Sequence, residues 1–81
     1  MLRNWKSQPK VVGVKQSRRA IREGRAVQVL LAVNADPALT APLAELCAAE
    51  GVPVEQILTM EELGKAAGIQ VGATVVAVLR A

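Results

Sequence analysis

The 81-residue chain has no histidine, phenylalanine or tyrosine, and only one tryptophan and one cysteine. Each shortage removes a class of function. Without histidine, and with Cys47 alone, neither a four-ligand zinc site nor a disulfide framework can be assembled within the chain. No metal and no cofactor are expected. With a single aromatic, Trp5, a surface that spreads single-stranded bases over several rings is hard to build. There is also no Gly-rich phosphate loop ending in Lys-Ser or Lys-Thr, and no nucleophile elbow. Glu61 and Glu62 are adjacent, so they point differently from a helix, and a helix cap explains Glu62 without catalysis. A non-catalytic protein is expected. No run reaches transmembrane length, and the opening Met-Leu-Arg-Asn-Trp-Lys-Ser-Gln-Pro-Lys does not resemble a signal peptide. The expectation is a cytoplasmic protein without a membrane partner.

What is present is aliphatic. Just over half of the residues are apolar, so one compact domain with a core of Val, Leu, Ile and Ala is expected. Cys47, in an Ala- and Leu-rich segment, reads as a small buried hydrophobe. The formal charge of +3 conceals a division: residues 1–25 hold eight Lys and Arg against one acid (+7), and residues 26–81 hold two against six (−4). A field with one attractive side suits a polyanion better than an evenly mixed surface does.

The charge concentrates between Gly13 and Gly24, in Gly-Val-Lys-Gln-Ser-Arg-Arg-Ala-Ile-Arg-Glu-Gly. Wound at roughly 100° per residue, Lys15, Arg18, Arg19 and Arg22 share one arc of a helix and Val14, Ser17, Ala20 and Ile21 the opposite one. Gly24 supplies a left-handed stop, and Gly13 permits a tight turn and close approach to the helix start, where unpaired N–H groups favour anions. A solvated surface gives the same pattern; the charge asymmetry favours an anion-facing one.

Along the chain, residues 1–9 read as a basic tail or frayed turn ending at Pro9, and residues 10–81 as a single domain. Lys10–Val12 is a short strand and Val27–Val33 a central strand covered on both faces. Asp36 caps a helix with Pro37 at its first position; Pro42 predicts a break, with a first turn at 37–40 and the main helix running from Ala41 or Pro42 to Glu50. Val52–Leu58 is a further strand. Thr59 and Glu62 form a capping box for a helix from Met60 to Ala67 that stops at Gly68. Ile69, Gln70 and Val71 make a loop before a last strand, Ala73–Leu79. The order β-α-β-α-β-α-β implies a three-layer α/β/α sandwich around a largely parallel or mixed four-stranded sheet. A monomer is expected, since no long exposed apolar stretch is evident.

The ordered set Gly13-Val-Lys-Gln-Ser-Arg-Arg19, Gly24, Ala32-Val-Asn-Ala-Asp36-Pro37, Leu46-Cys47, Val52-Pro53, Leu63-Gly-Lys-Ala-Ala-Gly68 and Ile69-Gln-Val71 resembles the ribosomal protein L-seven-Ae and L-thirty-e superfamily, most closely its small stand-alone bacterial branch. The resemblance covers about residues 10 to 80. It implies an α/β/α sandwich that binds kink-turns, in which an RNA bulge bends two stems beside tandem sheared G·A pairs; ribosomal RNA is one such target, and no preference for DNA is implied. Archaeal and eukaryotic members carry Gly-x-Asn-Glu-x-x-Lys, which matches Gly13, Lys15, Gln16 and Arg19 here. Lys15 and Gln16 depart from that motif. The Lys-Gln pair looks like a branch feature, while Arg19 keeps the charge and adds a planar fork. The resemblance further implies contact of an extruded nucleotide with Ile69, Gln70 and Val71, whereas the residues alone favour core positions for the two apolar side chains. Asp36 matches a position near RNA and is also a plain cap; Lys65, read from the residue alone, is a candidate phosphate contact, though a lone helix Lys is more often merely solvated. The family has Arg where Glu23 stands, so Arg22 is the substitute for that backbone contact. Two other readings share the fold: a protein-interaction module, and a general structured-RNA or ribosome-associated factor without kink-turn preference.

Overall fold

The computed structural model describes residues 5–81; the tail residues Met1 to Asn4 lie outside the described residues. After a 3-10 turn at Trp5–Ser7 come β1 (Lys10–Val12), α1 (Val14–Arg22), β2 (Ala26–Leu31), α2 (Pro37–Glu50), β3 (Val54–Glu55), α3 (Met60–Ala66) and β4 (Val75–Leu79). The sheet order is β1-β4-β2-β3. β4 lies antiparallel to both β1 and β2, and only the β2–β3 pair is parallel. The sheet is therefore mixed. The last strand of the chain occupies its interior, which explains why its Val75, Val76, Ala77 and Val78 are all buried.

Alternation along β2 and β4 sends successive side chains to opposite faces. On one face Val29, Leu31, Val75 and Ala77 pack with Ala20 and Ile21 of α1 and Leu43 and Cys47 of α2. On the other, Leu30, Val76 and Val78 pack with Leu63 of α3 and with Trp5. These are the three layers expected from the sequence. Each fully buried Leu or Ile contributes roughly 1.5–3 kcal/mol of transfer free energy, and Ile21, Leu43 and Leu63 are all in this class.

Several boundaries differ from the sequence reading. Trp5, assigned there to a polar tail, is only 6% exposed and completes the second core. The turn that carries it is closed by Gln8 N–H donating to the Trp5 carbonyl, and Lys10 Nζ donates to the Lys6 and Gln8 carbonyls. α2 is one continuous helix through Pro42, not a turn and a restart. Pro42 removes the bond to the Ala38 carbonyl, but both residues are exposed, so water can serve that carbonyl. The helix is held elsewhere: Asp36 Oδ1 accepts from Ala38 N–H at 2.9 Å, and Leu43 and Cys47 are buried. Thr40 is buried inside the helix. β3 shrinks to two residues because Pro53 has no N–H and the chain turns away after Glu55. β2 ends two residues early, at Leu31, and β4 starts at Val75.

One buried group is out of keeping with its setting. Ser17 faces the sheet from α1, fully buried, and its hydroxyl has no hydrogen-bond partner among the described residues. A buried unpaired hydroxyl costs about 1–3 kcal/mol, and Ala is the better helix former. Ser17→Ala is therefore expected to leave the thermal midpoint unchanged or raise it by a few degrees; a fall of several degrees in a melting curve would contradict this.

Candidate nucleic-acid interface

The basic helix folds as its periodicity requires. Ser17, Ala20 and Ile21 are buried, Lys15, Gln16, Arg19 and Arg22 are exposed, and Arg18 is half-buried. Its start is uncapped: Gly13, at φ 105°, has no side chain to offer. The Val14, Lys15 and Gln16 N–H groups precede the first intrahelical donor, Ser17, which bonds the Gly13 carbonyl. At the other end Gly24 (φ 72°) lets Gly24 N–H reach the Ile21 carbonyl and Arg25 N–H the Ala20 carbonyl, the paired bonds of a left-handed helix stop.

Four loops meet where α1 begins. Gly13 N–H donates to the Val75 carbonyl, Ala32 N–H to the Thr74 carbonyl and Ala73 N–H to the Met60 carbonyl, while Asn34 Oδ1 accepts from Met60 N–H at 2.8 Å. These bonds tie the α1 start, the β2–α2 loop, the α3 start and the loop before β4 to one end of the sheet. Asn34 was missed from the sequence. Its partner lies 26 residues away, and only the turn character of Asn34-Ala35-Asp36-Pro37 hinted that it had a local role.

The loop at 69–71 is built by α3. The capping box is present: Thr59 Oγ1 accepts from Glu62 N–H and Glu62 Oε1 from Thr59 N–H. The Thr59 N–H, and then the Thr59 hydroxyl, hold the Glu62 carboxyl below its ordinary range although it is exposed. Beyond the end of α3, Gly68 (φ 82°) turns the chain left-handed, and Ile69 N–H returns to the Gly64 carbonyl. Gly64 is buried and lies so close beneath the loop that a Cβ there would meet the Val71 carbonyl oxygen. The two apolar loop residues divide: Ile69 packs partly against the second core, whereas Val71 is 72% exposed. Gln70 is exposed between them.

The residues singled out from the sequence are thus only partly brought together. Gly13, Lys15 and Gln16, the Asp36 loop and residues 69–71 share the end of the sheet. Arg19 is one turn further along α1, and Arg22 lies about 10 Å from Lys15 at 1.5 Å per residue. Lys65 sits apart, on the far side of the sheet, lining a hollow with Trp5, Lys6 and Glu62 and only 4.0 Å from Glu61. Asp36 is engaged as a cap. Arg19 Nε donates to Glu23 Oε2 at 3.2 Å and Arg25 Nε to Glu23 Oε1 at 2.9 Å. First Arg19 and then Arg25 hold the Glu23 carboxyl below its usual pKa. Such exposed pairs stabilise little and yield readily to a competing anion. Lys15, Arg18 and Arg22 make no ion pair with a described residue.

This combination of layers, basic helix and glycine-held loop defines a small α/β/α module with a basic helix along one side. The chain belongs to the ribosomal protein L7Ae/L30e/S12e/Gadd45 family, whose sequence model matches residues 2–81. Among similar proteins, an RNA-binding protein of Geobacillus sp. (strain WCH70) is 46% identical over 70 residues, covering 86% of this chain and 85% of that one. The RNA-binding protein YbxF of Geobacillus stearothermophilus is 43% identical over the same shares of the two chains. The solved Giardia lamblia 15.5kD RNA binding protein superposes with a TM-score of 0.84 at 26% identity, covering 89% of this chain and 61% of that one. Among the described residues, no helix is long and apolar enough to cross a membrane.

Proposed function

We propose that this chain binds structured RNA without catalysing a reaction, and that its RNA is of the kink-turn class. The reading rests above all on one observation: the uncapped start of α1, with Lys15 and Gln16, lies at the same end of the sheet as the loop that carries the exposed Val71. In this reading the α1 N–H groups and the Lys15, Gln16 and Arg19 side chains address base edges and phosphates at the kink, while Val71 rests on an extruded base. Ile69 supports the loop from below, Gln70 stands beside it, Asp36 fixes the neighbouring turn as a cap, and Arg22 meets a phosphate further along. Lys65, on the other side of the sheet, takes no part at the kink. The names of the relatives support the RNA-binding part of the reading.

Titration against a kink-turn RNA, and against the same RNA with its tandem G·A pairs replaced by Watson–Crick pairs, tests it at fixed salt. A preference of tenfold or more, about 1.4 kcal/mol, is expected. Arg19→Ala, 73% exposed at its side chain and so of little structural consequence, is expected to weaken binding to the intact kink-turn at least tenfold. Equal binding of the two RNAs leaves a general structured-RNA binder, and binding to neither moves the family's protein-interaction reading to the front.

A further inference from the structure

At the far end of α1, Arg80 from the end of the chain joins Arg19 and Arg25. Arg80 N–H donates to the Arg25 carbonyl, and Arg80 Nε donates to the Gly24 carbonyl at 3.1 Å, across 56 residues. Arg25 and Arg19 are held by the two oxygens of Glu23. In all three the side-chain hydrogen bond runs through Nε, so the terminal guanidinium nitrogens, the pair that grips a phosphate, are left for a ligand. Gly24 lies between them with open space where a side chain would be, which allows a bulky anion close approach. Glu23 links two of the three: its carboxylate accepts from Arg19 Nε and from Arg25 Nε.

We propose that this cluster, Arg25 and Arg80 beside Gly24 with Arg19 shared, is a second phosphate-binding site that grips the backbone of an RNA stem running down α1. The proposal rests on the RNA-binding reading above and extends it. β4 separates the two ends: the Gly13–Val75 and Arg80–Arg25 bonds are five residues apart along it, about 16 Å at strand rise. A ligand confined to the α1 start does not span that distance. A base-paired stem, with charges every few ångströms, does.

The experiment is a salt titration of the Arg25→Gln/Arg80→Gln protein against kink-turn RNAs with full-length stems and with one or the other stem cut short. With full stems the slope of log affinity on log salt is expected to fall by about two, one for each phosphate that the variant no longer neutralises. With one of the shortened RNAs, wild type and variant are expected to have the same slope. An Arg25→Lys/Arg80→Lys protein, which keeps the charge, is expected to recover the slope. An unchanged slope in the Gln variant, an equal fall on all three RNAs, or a Lys variant no better than the Gln variant would each overturn the site. The preference for intact over G·A-replaced RNA is a separate readout: its absence in the wild type sinks the kink-turn reading, whereas the slope difference tests the arginine cluster on any RNA with a long stem.

Discussion

Trp5→Ala is expected to cost about 3 kcal/mol of stability, the usual range for a buried large aromatic being roughly 3–5 kcal/mol. A domain of this length has only about 4 to 12 kcal/mol in total, so a substantial share of the stability rests on one side chain near the N-terminus. The reason is geometric. The first core lies under two helices of nine and fourteen residues, whereas the second lies under α3, seven residues long. Trp5 covers what α3 leaves open of Leu30, Val76 and Val78. Urea unfolding followed by far-ultraviolet circular dichroism is the measurement, since the substitution removes the only tryptophan. Trp5→Phe, which keeps a ring in the same place, is expected to retain most of the midpoint. An alanine variant unfolding at the wild-type urea concentration would show that the N-terminal turn adds nothing to the core.

Gly64→Ala is expected to combine a stability loss with a binding loss. The new Cβ meets backbone alone: the Val71 carbonyl oxygen, with the Val71 carbonyl carbon at 3.1 Å and Gly72 Cα at 3.2 Å. No side chain can swing aside, so either α3 or the loop must move. Overpacking of this kind costs about 1–3 kcal/mol, and the gain from replacing a helical glycine offsets up to about 1 kcal/mol of it. A net loss of about 1–2 kcal/mol is therefore expected in the same urea experiment. Moving the 69–72 segment also moves Val71, and affinity for an intact kink-turn is expected to fall tenfold or more, with the salt slope unchanged because no cation is touched. A variant that is destabilised yet binds as the wild type does would separate the loop from recognition and leave α1 to carry it alone.

Much of this molecule is legible in the chain because the signals are local. The Asp36 and Thr59 caps, the stops at Gly24 and Gly68 and the two faces of α1 depend on residues within a turn or two of one another, and each is where periodicity and capping chemistry put it. The misjudged places are those where a local rule was outweighed from a distance. Pro42 did not break α2, because its two capped ends and the burial of Leu43 and Cys47 outweigh one missing bond on the exposed side. Trp5 was misjudged because a polar neighbourhood in sequence says nothing about the apolar surface of α3 and β4 that it meets after folding.

The candidate interface divides in the same way. Lys15, Arg18, Arg19 and Arg22 were readable as one face of a helix, whereas Gln16 and an outward role for the 69–71 loop came only from the family resemblance. That the start of this helix and the loop stand at one end of the sheet depends on bonds such as Met60 N–H to Asn34 and Ala73 N–H to Met60, which join residues too far apart along the chain for any local pattern to reveal. Arg80 illustrates the limit best: in the sequence it is one of two bases in an acidic stretch, and in the fold it lies beside Gly24. By itself the sequence determined the elements, their caps and the charge on α1, all set by backbone preference and side-chain spacing over a few residues. The tertiary structure alone decided which loops share an edge, that Ile69 turns inward while Val71 does not, and that Arg80 joins Arg19 and Arg25 at one helix end, because each follows from strand pairing between residues tens of positions apart.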